Sequence, residues 1–278
     1  MNNIKASVLT IAGSDSGGGA GIQADLRTFN AFKLYGCSVI TAVTGQNPEE
    51  VRRVDVLPVE SVKTQLESVL DVIPVRVAKT GMLAAREIVE CVAELAEKYA
   101  LKLVVDPVMV STSGTRLLAE SATSAVKNLL FPMAEWITPN IPEAELICER
   151  KLTSPAELAE AALQLYRQYK CNCLLKGGHA ITSDLVTDIV CWQGEIFVLS
   201  SPAVKLSGCT AHGTGCTLSS ALAANLALGK NWQEALKTAK AFVYGSLCER
   251  VVLNNMLTQM YPPEENYCQK VILKRGVL

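Results

Sequence analysis

Two glycine-rich segments far apart in the chain have the residue types and spacing to cradle a ligand, the first as a substrate loop and the second as an anion hole. The first, Gly13-Ser-Asp-Ser-Gly-Gly-Gly-Ala-Gly21, directly follows a short apolar run. Glycine lacks a Cβ, so backbone amides there can approach a ligand closely. A helix starting near Gly21 would aim its positive end at that ligand. The same stretch also reads as a tight strand-to-helix turn. The second, Thr210-Ala-His212-Gly-Thr-Gly-Cys216-Thr217, opens an apolar helix. Its Gly213, Gly215 and Cys216 can present backbone amides at a helix N-terminus, an anion hole that suits a transferring phosphoryl group. A thiol in such a first turn is expected to have a lowered pKa. A Cys–His protease is a weak alternative. Four residues of separation across a loop do not place a base on a nucleophile, and no orienting partner is evident.

Between these segments lie four polar residues at the ends of apolar runs. Asp106 and Glu143 end different strands, and two carboxylates with water and phosphate oxygens suit Mg²⁺. They also read as a helix cap and a first-turn acid. Lys176-Gly-Gly-His179 ends a strand with a cation that can act as a point charge on a polyphosphate. Gln46 offers a carboxamide with one acceptor and two donors, which matches the edge of an aminopyrimidine. A loop glutamine at the surface is the plainer reading. The first glycine segment is a poor dinucleotide fingerprint, because the second strand ends in Gly45 and Gln46 rather than an acid. No G-x-x-x-x-G-K-[ST] loop occurs either.

Positioning these residues requires strands whose carboxyl ends meet. Apolar runs at Ser7–Ala12, Ser38–Thr44, Val75–Lys79, Leu103–Val105, Trp136–Thr138 and Cys173–Lys176 alternate with helical patterns. Those helices are Ile22–Leu34, one through Val59 to Leu70 with Pro58 at its start, one through Ile88 to Leu95, and Pro155–Tyr169 with Thr153 or Ser154 as cap. Leu185–Cys191 and Glu195–Leu199 read as a hairpin, followed by helices at Gly213–Leu228 and Trp232–Val252 and a short polar tail. This alternation predicts an α/β fold: a mainly parallel sheet with helices on both faces and antiparallel strands at one edge. Ligands gather at the carboxyl ends of such strands.

The bulk properties agree. The chain has 278 residues, 49% hydrophobic and 19% charged, which suits one domain over residues 1–278. A net charge of −1, with no basic stripe, gives no signal for nucleic acid. No secretory signal or bilayer-spanning run is apparent, so a soluble, cytoplasmic protein is expected. Ten cysteines are scattered without a C-x-x-C pair, and eight or nine are expected to be small buried hydrophobes. With two histidines, a zinc site has little support.

The segments TIAGSDSGGGAGIQADLRTF, YGCSVITAVTGQN, KTGMLA, VVDPVMVSTSG, ITPNIPEAE, LLKGGHA and HGTGCTLSSALAANLA resemble the hydroxymethylpyrimidine/phosphomethylpyrimidine kinases, part of the ribokinase-like superfamily. They follow the family's order and run from about Val8 to Leu228. The resemblance implies a three-layer αβα sandwich, and Mg·ATP as phosphoryl donor. It implies two successive reactions in thiamine biosynthesis or salvage: a pyrimidine hydroxymethyl group becomes a monophosphate, then a diphosphate. Mapped here, it implies that Gln46 bonds the aminopyrimidine, Asp25 and the Gly13 backbone hold the substrate, and Met82 and Val108 flank the ring. Asp106 and Glu143 would organise Mg²⁺. Lys176, Thr214 and Gly215 would meet ATP phosphates, and Gly213, Gly215 and Cys216 would form the anion hole. Most ribokinase-like sugar kinases have an aspartate base where this chain has Cys216. A thiolate could accept the hydroxyl proton, or positioning and charge stabilisation could suffice. A base role predicts that Cys216→Ala hurts the first step more than the second.

Three departures from the family pattern are Thr210-Ala211 before His212, Thr80 before Gly-Met-Leu, and Gly17 in the first loop. A homodimer is implied, and Thr112–Gly114 and Ala180–Asp184 are expected as mobile loops. The main competing readings are a pyridoxal kinase of the same subfamily and a non-catalytic vitamin-binding protein.

Overall fold

The computed structural model describes residues 6–109, 119–177, 184–205, 212–254 and 257–276. The expected loop at Thr112–Gly114, most of Ala180–Asp184, and Gly178, His179, Thr210 and Ala211 lie outside these residues.

The first half runs β1 (Ser7–Ala12), α1 (Gly21–Ala31), β2 (Tyr35–Ile40), β3 (Ala42–Gln46), β4 (Val51–Val56), α2 (Val59–Leu70), β5 (Val77–Thr80), α3 (Arg86–Lys98) and β6 (Lys102–Val105). Next come α4 (Glu120–Ala125), which continues as a π turn, β7 (Ala134–Ile137), α5 (Ile141–Cys148), α6 (Pro155–Tyr169) and β8 (Asn172–Leu175). The chain then forms β9 (Leu185–Trp192), β10 (Glu195–Pro202), α7 (Thr214–Ala227), α8 (Trp232–Cys248), β11 (Val251–Asn254), β12 (Leu257–Gln259) and β13 (Ile272–Arg275).

Nine strands form one sheet in the order β13-β10-β9-β8-β7-β6-β5-β1-β2. The pairs from β2 through β8 are parallel. β8–β9, β9–β10 and β10–β13 are antiparallel. Alternate residues of each strand face opposite layers. Leu9, Ile11, Leu103, Val105 and Ile137 pack with Leu66 of α2, Ile88 of α3 and Leu165 of α6. Val8, Val77, Val104, Trp136 and Leu174 pack with Phe29 of α1, Leu222 of α7 and Leu236 of α8. Two cores on one sheet make the three-layer αβα sandwich of the ribokinase-like fold. On the second face Trp136 and Trp192 stack 5.6 Å apart, and Trp192 and Trp232 stack 5.0 Å apart. Phe197 meets Trp232 edge-on.

Four expectations need correction. Ser38–Thr44 is not one strand: the chain turns at Thr41, whose buried hydroxyl donates to the Met82 carbonyl at 2.6 Å. β3 therefore leaves the main sheet and pairs with β4, which its charged residues Arg52, Arg53 and Asp55 had hidden. The last long helix stops at Cys248 rather than Val252, where β11 begins. The tail is not merely polar, since β13 completes the sheet edge beside β10. Cys37, Cys91, Cys148, Cys171, Cys173 and Cys191 are buried, but Cys216 and Cys268 are half-buried and Cys248 is exposed. The expected eight or nine buried thiols are thus not reached among those described. Ser154 caps α6 through a reciprocal bond pair with Glu157, as the capping-box spacing requires.

Candidate active site

The polar residues gather where α7 crosses the carboxyl ends of the parallel strands. On the α7 face, two residues past each apolar core position, the side chain becomes polar. Val8 is followed by Thr10, Val77 by Lys79, Val104 by Asp106, Trp136 by Thr138 and Leu174 by Lys176. All but Lys176 are buried, and Lys176 is nearly so. Buried polar groups of this kind must satisfy one another.

They do so in pairs. Lys176 Nζ lies 2.7 Å from Asp106 Oδ1. Thr138 donates to the same oxygen at 3.0 Å, and Ser219 of α7 lies 3.1 Å from Oδ2. Burial opposes ionisation of Asp106, but Lys176 and Lys79 hold its carboxyl below the usual range. Burial likewise opposes the Lys176 charge, and Asp106 and Glu143 outweigh it, so its pKa is raised. Asp188 of β9 accepts hydrogen bonds from Lys240 at 2.6 Å and from the Gly177 amide at 3.0 Å, fixing the turn after Lys176.

Glu143 serves two purposes. Its side chain accepts the Asn140 amide at 2.8 Å while Asn140 accepts the Glu143 amide, a reciprocal cap on α5. The carboxyl is also buried near Asp106, and burial raises its pKa to about 7 despite the nearby Lys176. A carboxyl held this way gains from an added cation. Among the described residues no three His, Cys, Asp or Glu cluster as a metal cage. Two buried carboxylates nevertheless fit Mg²⁺, which keeps waters and substrate oxygens among its ligands.

The two glycine segments meet. Gly213 starts α7 with φ +83°, and a Cβ there would fall 1.8 Å from the Gly19 carbonyl. Gly215 leaves room for Lys176, whose Nζ would sit 3.3 Å from an added Cβ. The N-termini of α1 and α7 converge on Cys216, toward which the Gly21 backbone is turned. The expected low thiol pKa is not found. Burial, only partly offset by Lys79, pushes Cys216 up to about 11, because desolvation outweighs the helix ends. Thr214 and Gly215 are half-buried in the same first turn.

Gly13 follows β1 and packs tightly: an added Cβ would meet Met82 Cε at 2.5 Å. The Val108 amide donates to the Asp106 carbonyl at 2.8 Å, holding that turn. Gln46 stands at the end of β3, with Nε2 3.2 Å from His212 Nε2. His212 Nε2 is also 3.1 Å from Asp15 Oδ2. This nitrogen donates to Asp15 when protonated and accepts from Gln46 when bare. Asp15 binds the Gly17 and Ala20 amides, each at 2.8 Å. Burial acts against its ionisation, yet His212 and these amides lower its pKa.

Asp25 does not fit its expected place beside the substrate. It is 0% exposed, and its carboxylate is occupied by Lys79, Thr10 and Ser220. Sequence reasoning missed Lys79, Ser219 and Ser220. The parity of Val77 and Lys79 with Val8 and Thr10 is the signal that could have found the lysine.

Comparisons with known proteins bear on the family and the fold. The phosphomethylpyrimidine kinase family model matches residues 15–260. A hydroxymethylpyrimidine/phosphomethylpyrimidine kinase of Haemophilus influenzae is 45% identical over 251 residues, covering 89% of this chain and 92% of that one. A thiamine biosynthesis bifunctional protein of Geobacter sulfurreducens is 46% identical over 244 residues, 87% of this chain and 49% of its own length. Among solved structures, the Staphylococcus aureus pyridoxal kinase in complex with AMP-PCP and pyridoxal superposes with a TM-score of 0.86. It is 33% identical, with 98% of this chain and 99% of that chain covered. With a family match over most of its length and relatives well above 40% identity, the chain belongs to the phosphomethylpyrimidine kinase family.

Proposed function

We propose that this chain phosphorylates hydroxymethylpyrimidine with ATP, and then phosphorylates the resulting monophosphate to the diphosphate, in thiamine biosynthesis or salvage. The observation that carries this reading is the convergence of two helix N-termini above the Asp106–Lys176 pair. Phosphoryl transfer asks mainly for positioning and charge stabilisation. The amides of Gly213, Gly215 and Cys216 cradle the transferring group. Lys176 leaves Asp106 to meet the phosphates of the donor, with Thr214 and Gly215 beside it. Asp106 and Glu143 would hold Mg²⁺, which supplies positive charge to the phosphate oxygens. Gln46 orients the aminopyrimidine edge, and Met82, Val108 and the Gly13 backbone bound its ring.

Cys216 carries its proton at neutral pH, since burial raises its pKa to about 11. Its role here is as a member of the anion hole rather than a general base. The enzyme is read as one domain, cytoplasmic and homodimeric. No helix among the described residues is long and apolar enough to cross a membrane.

A second reading, pyridoxal kinase, is favoured by the close superposition on the Staphylococcus aureus enzyme. Assay with ATP, Mg²⁺ and each alcohol tests both. Successive mono- and diphosphate products from the pyrimidine support the first reading. Turnover of pyridoxal alone, with no diphosphate from the pyrimidine, would replace it with the second.

A further inference from the structure

The helix that carries the anion hole is tied to the sheet by two adjacent serines. Ser219 can share its one proton among Asp106 Oδ2 and the carbonyls of Gly215 and Cys216. Ser220 has a single acceptor, Asp25 Oδ1, at 2.6 Å. Asp25 Oδ2 accepts Thr10 Oγ1 at 2.6 Å, and Lys79 Nζ spans both oxygens at 2.9 and 3.1 Å. All four side chains are 0% exposed. One carboxylate from α1 therefore joins β1, β5 and α7 at a single point.

This point lies one helical turn below the amides that cradle the phosphoryl group. Gly213 begins α7 without any side-chain cap, and no acid occupies the first turn. What sets the height of those amides above the strands is then the anchoring further along α7.

We propose that Ser220, Asp25, Lys79 and Thr10 form a buried clamp of positioning residues, which fixes the anion hole over the reacting oxygen. The proposal rests on the kinase reading above. It assigns Asp25 to holding α7 rather than to touching substrate.

Ser220→Ala removes the hydrogen bond from α7 to Asp25 without adding bulk. It should lower kcat about tenfold while KM for both substrates stays within about twofold, because small displacements of a catalytic group cost rate more than binding. Thr10→Val removes a donor at constant shape and should lower kcat about threefold, whereas Thr10→Ser should stay near the parent. Alkylation of Cys216 by iodoacetamide, followed by peptide mass spectrometry, supplies a readout that needs no turnover. It should become several-fold faster in Ser220→Ala as α7 loosens. A Ser220→Ala enzyme with parental kcat, a loss confined to KM, or Thr10→Val behaving like Thr10→Ser would overturn the clamp. A parent chain that phosphorylates neither alcohol would sink the kinase reading, and the alkylation comparison would still decide the clamp.

Discussion

The two faces of the central sheet are built from the same strands but end differently. Toward α2–α6 the inward row remains apolar almost to the strand tips, through Ile11, Val105, Ile137 and Leu175. Toward α1, α7 and α8 the row ends in polar side chains, at Thr10, Lys79, Asp106, Thr138 and Lys176. Thr80, on the first face, keeps a buried hydroxyl with no hydrogen-bond partner. On the second face Asp25, Asp106 and Asp188 each have several partners. Burial alone therefore does not mark a site. Buried polar groups that complete one another across several elements do, since each would otherwise cost free energy.

Substitutions on the two faces should separate activity from stability. The largest effect is expected from Asp106→Asn, which should lower kcat about 10³-fold, roughly 4 kcal/mol of barrier, in a saturated product-formation assay. A loss below tenfold would take Asp106 away from the reacting end. Leu103→Ala, on the opposite face, should cost about 2–5 kcal/mol of unfolding free energy in urea. The folded enzyme should keep its kcat within about twofold, and a large kcat loss would erase the distinction between the faces. Gln46→Leu should raise KM for the pyrimidine about tenfold or more with little change in kcat, since it removes an orienting contact rather than a reacting one.

The smallest effect is expected at Cys216. With its pKa raised to about 11, the thiol is protonated at pH 7.5. Its thiolate fraction, and so its alkylation rate, should climb about tenfold per pH unit until the pKa is reached. Cys216→Ala should then slow both phosphorylations by a similar, several-fold factor, unlike the unequal loss that a thiolate base requires. A plateau in alkylation near pH 8 would restore the base.

Much of this arrangement was legible in the residues. Asp106, Lys176 and the His212-Gly-Thr-Gly-Cys turn stand out because strand ends and helix starts are where α/β sheets bind ligands. The parallel core and the β9–β10 hairpin follow from runs and turns that are local in sequence. Other features are not local. Lys79 reads as an ordinary strand-end lysine until α1 brings Asp25 against it. Ser219 and Ser220 interrupt an apolar helix, and only the crossing of α7 over the sheet gives them acceptors. The Cys216 shift also depends on enclosure by both glycine segments, so its position in a first turn pointed the wrong way. β4 carried too many charges to resemble a strand, because it pairs in a ribbon outside the main sheet.

The stacked column of Trp136, Trp192 and Trp232 contains all three tryptophans of the chain. Intrinsic fluorescence therefore reports on one layer only, the one bearing α8. An emission-monitored melt is blind to early fraying among α2–α6, whereas far-ultraviolet dichroism sees both layers. Discordant transitions from these two optical signals would mean that the layers separate in steps, and their coincidence would mean that the sheet holds them as one cooperative unit.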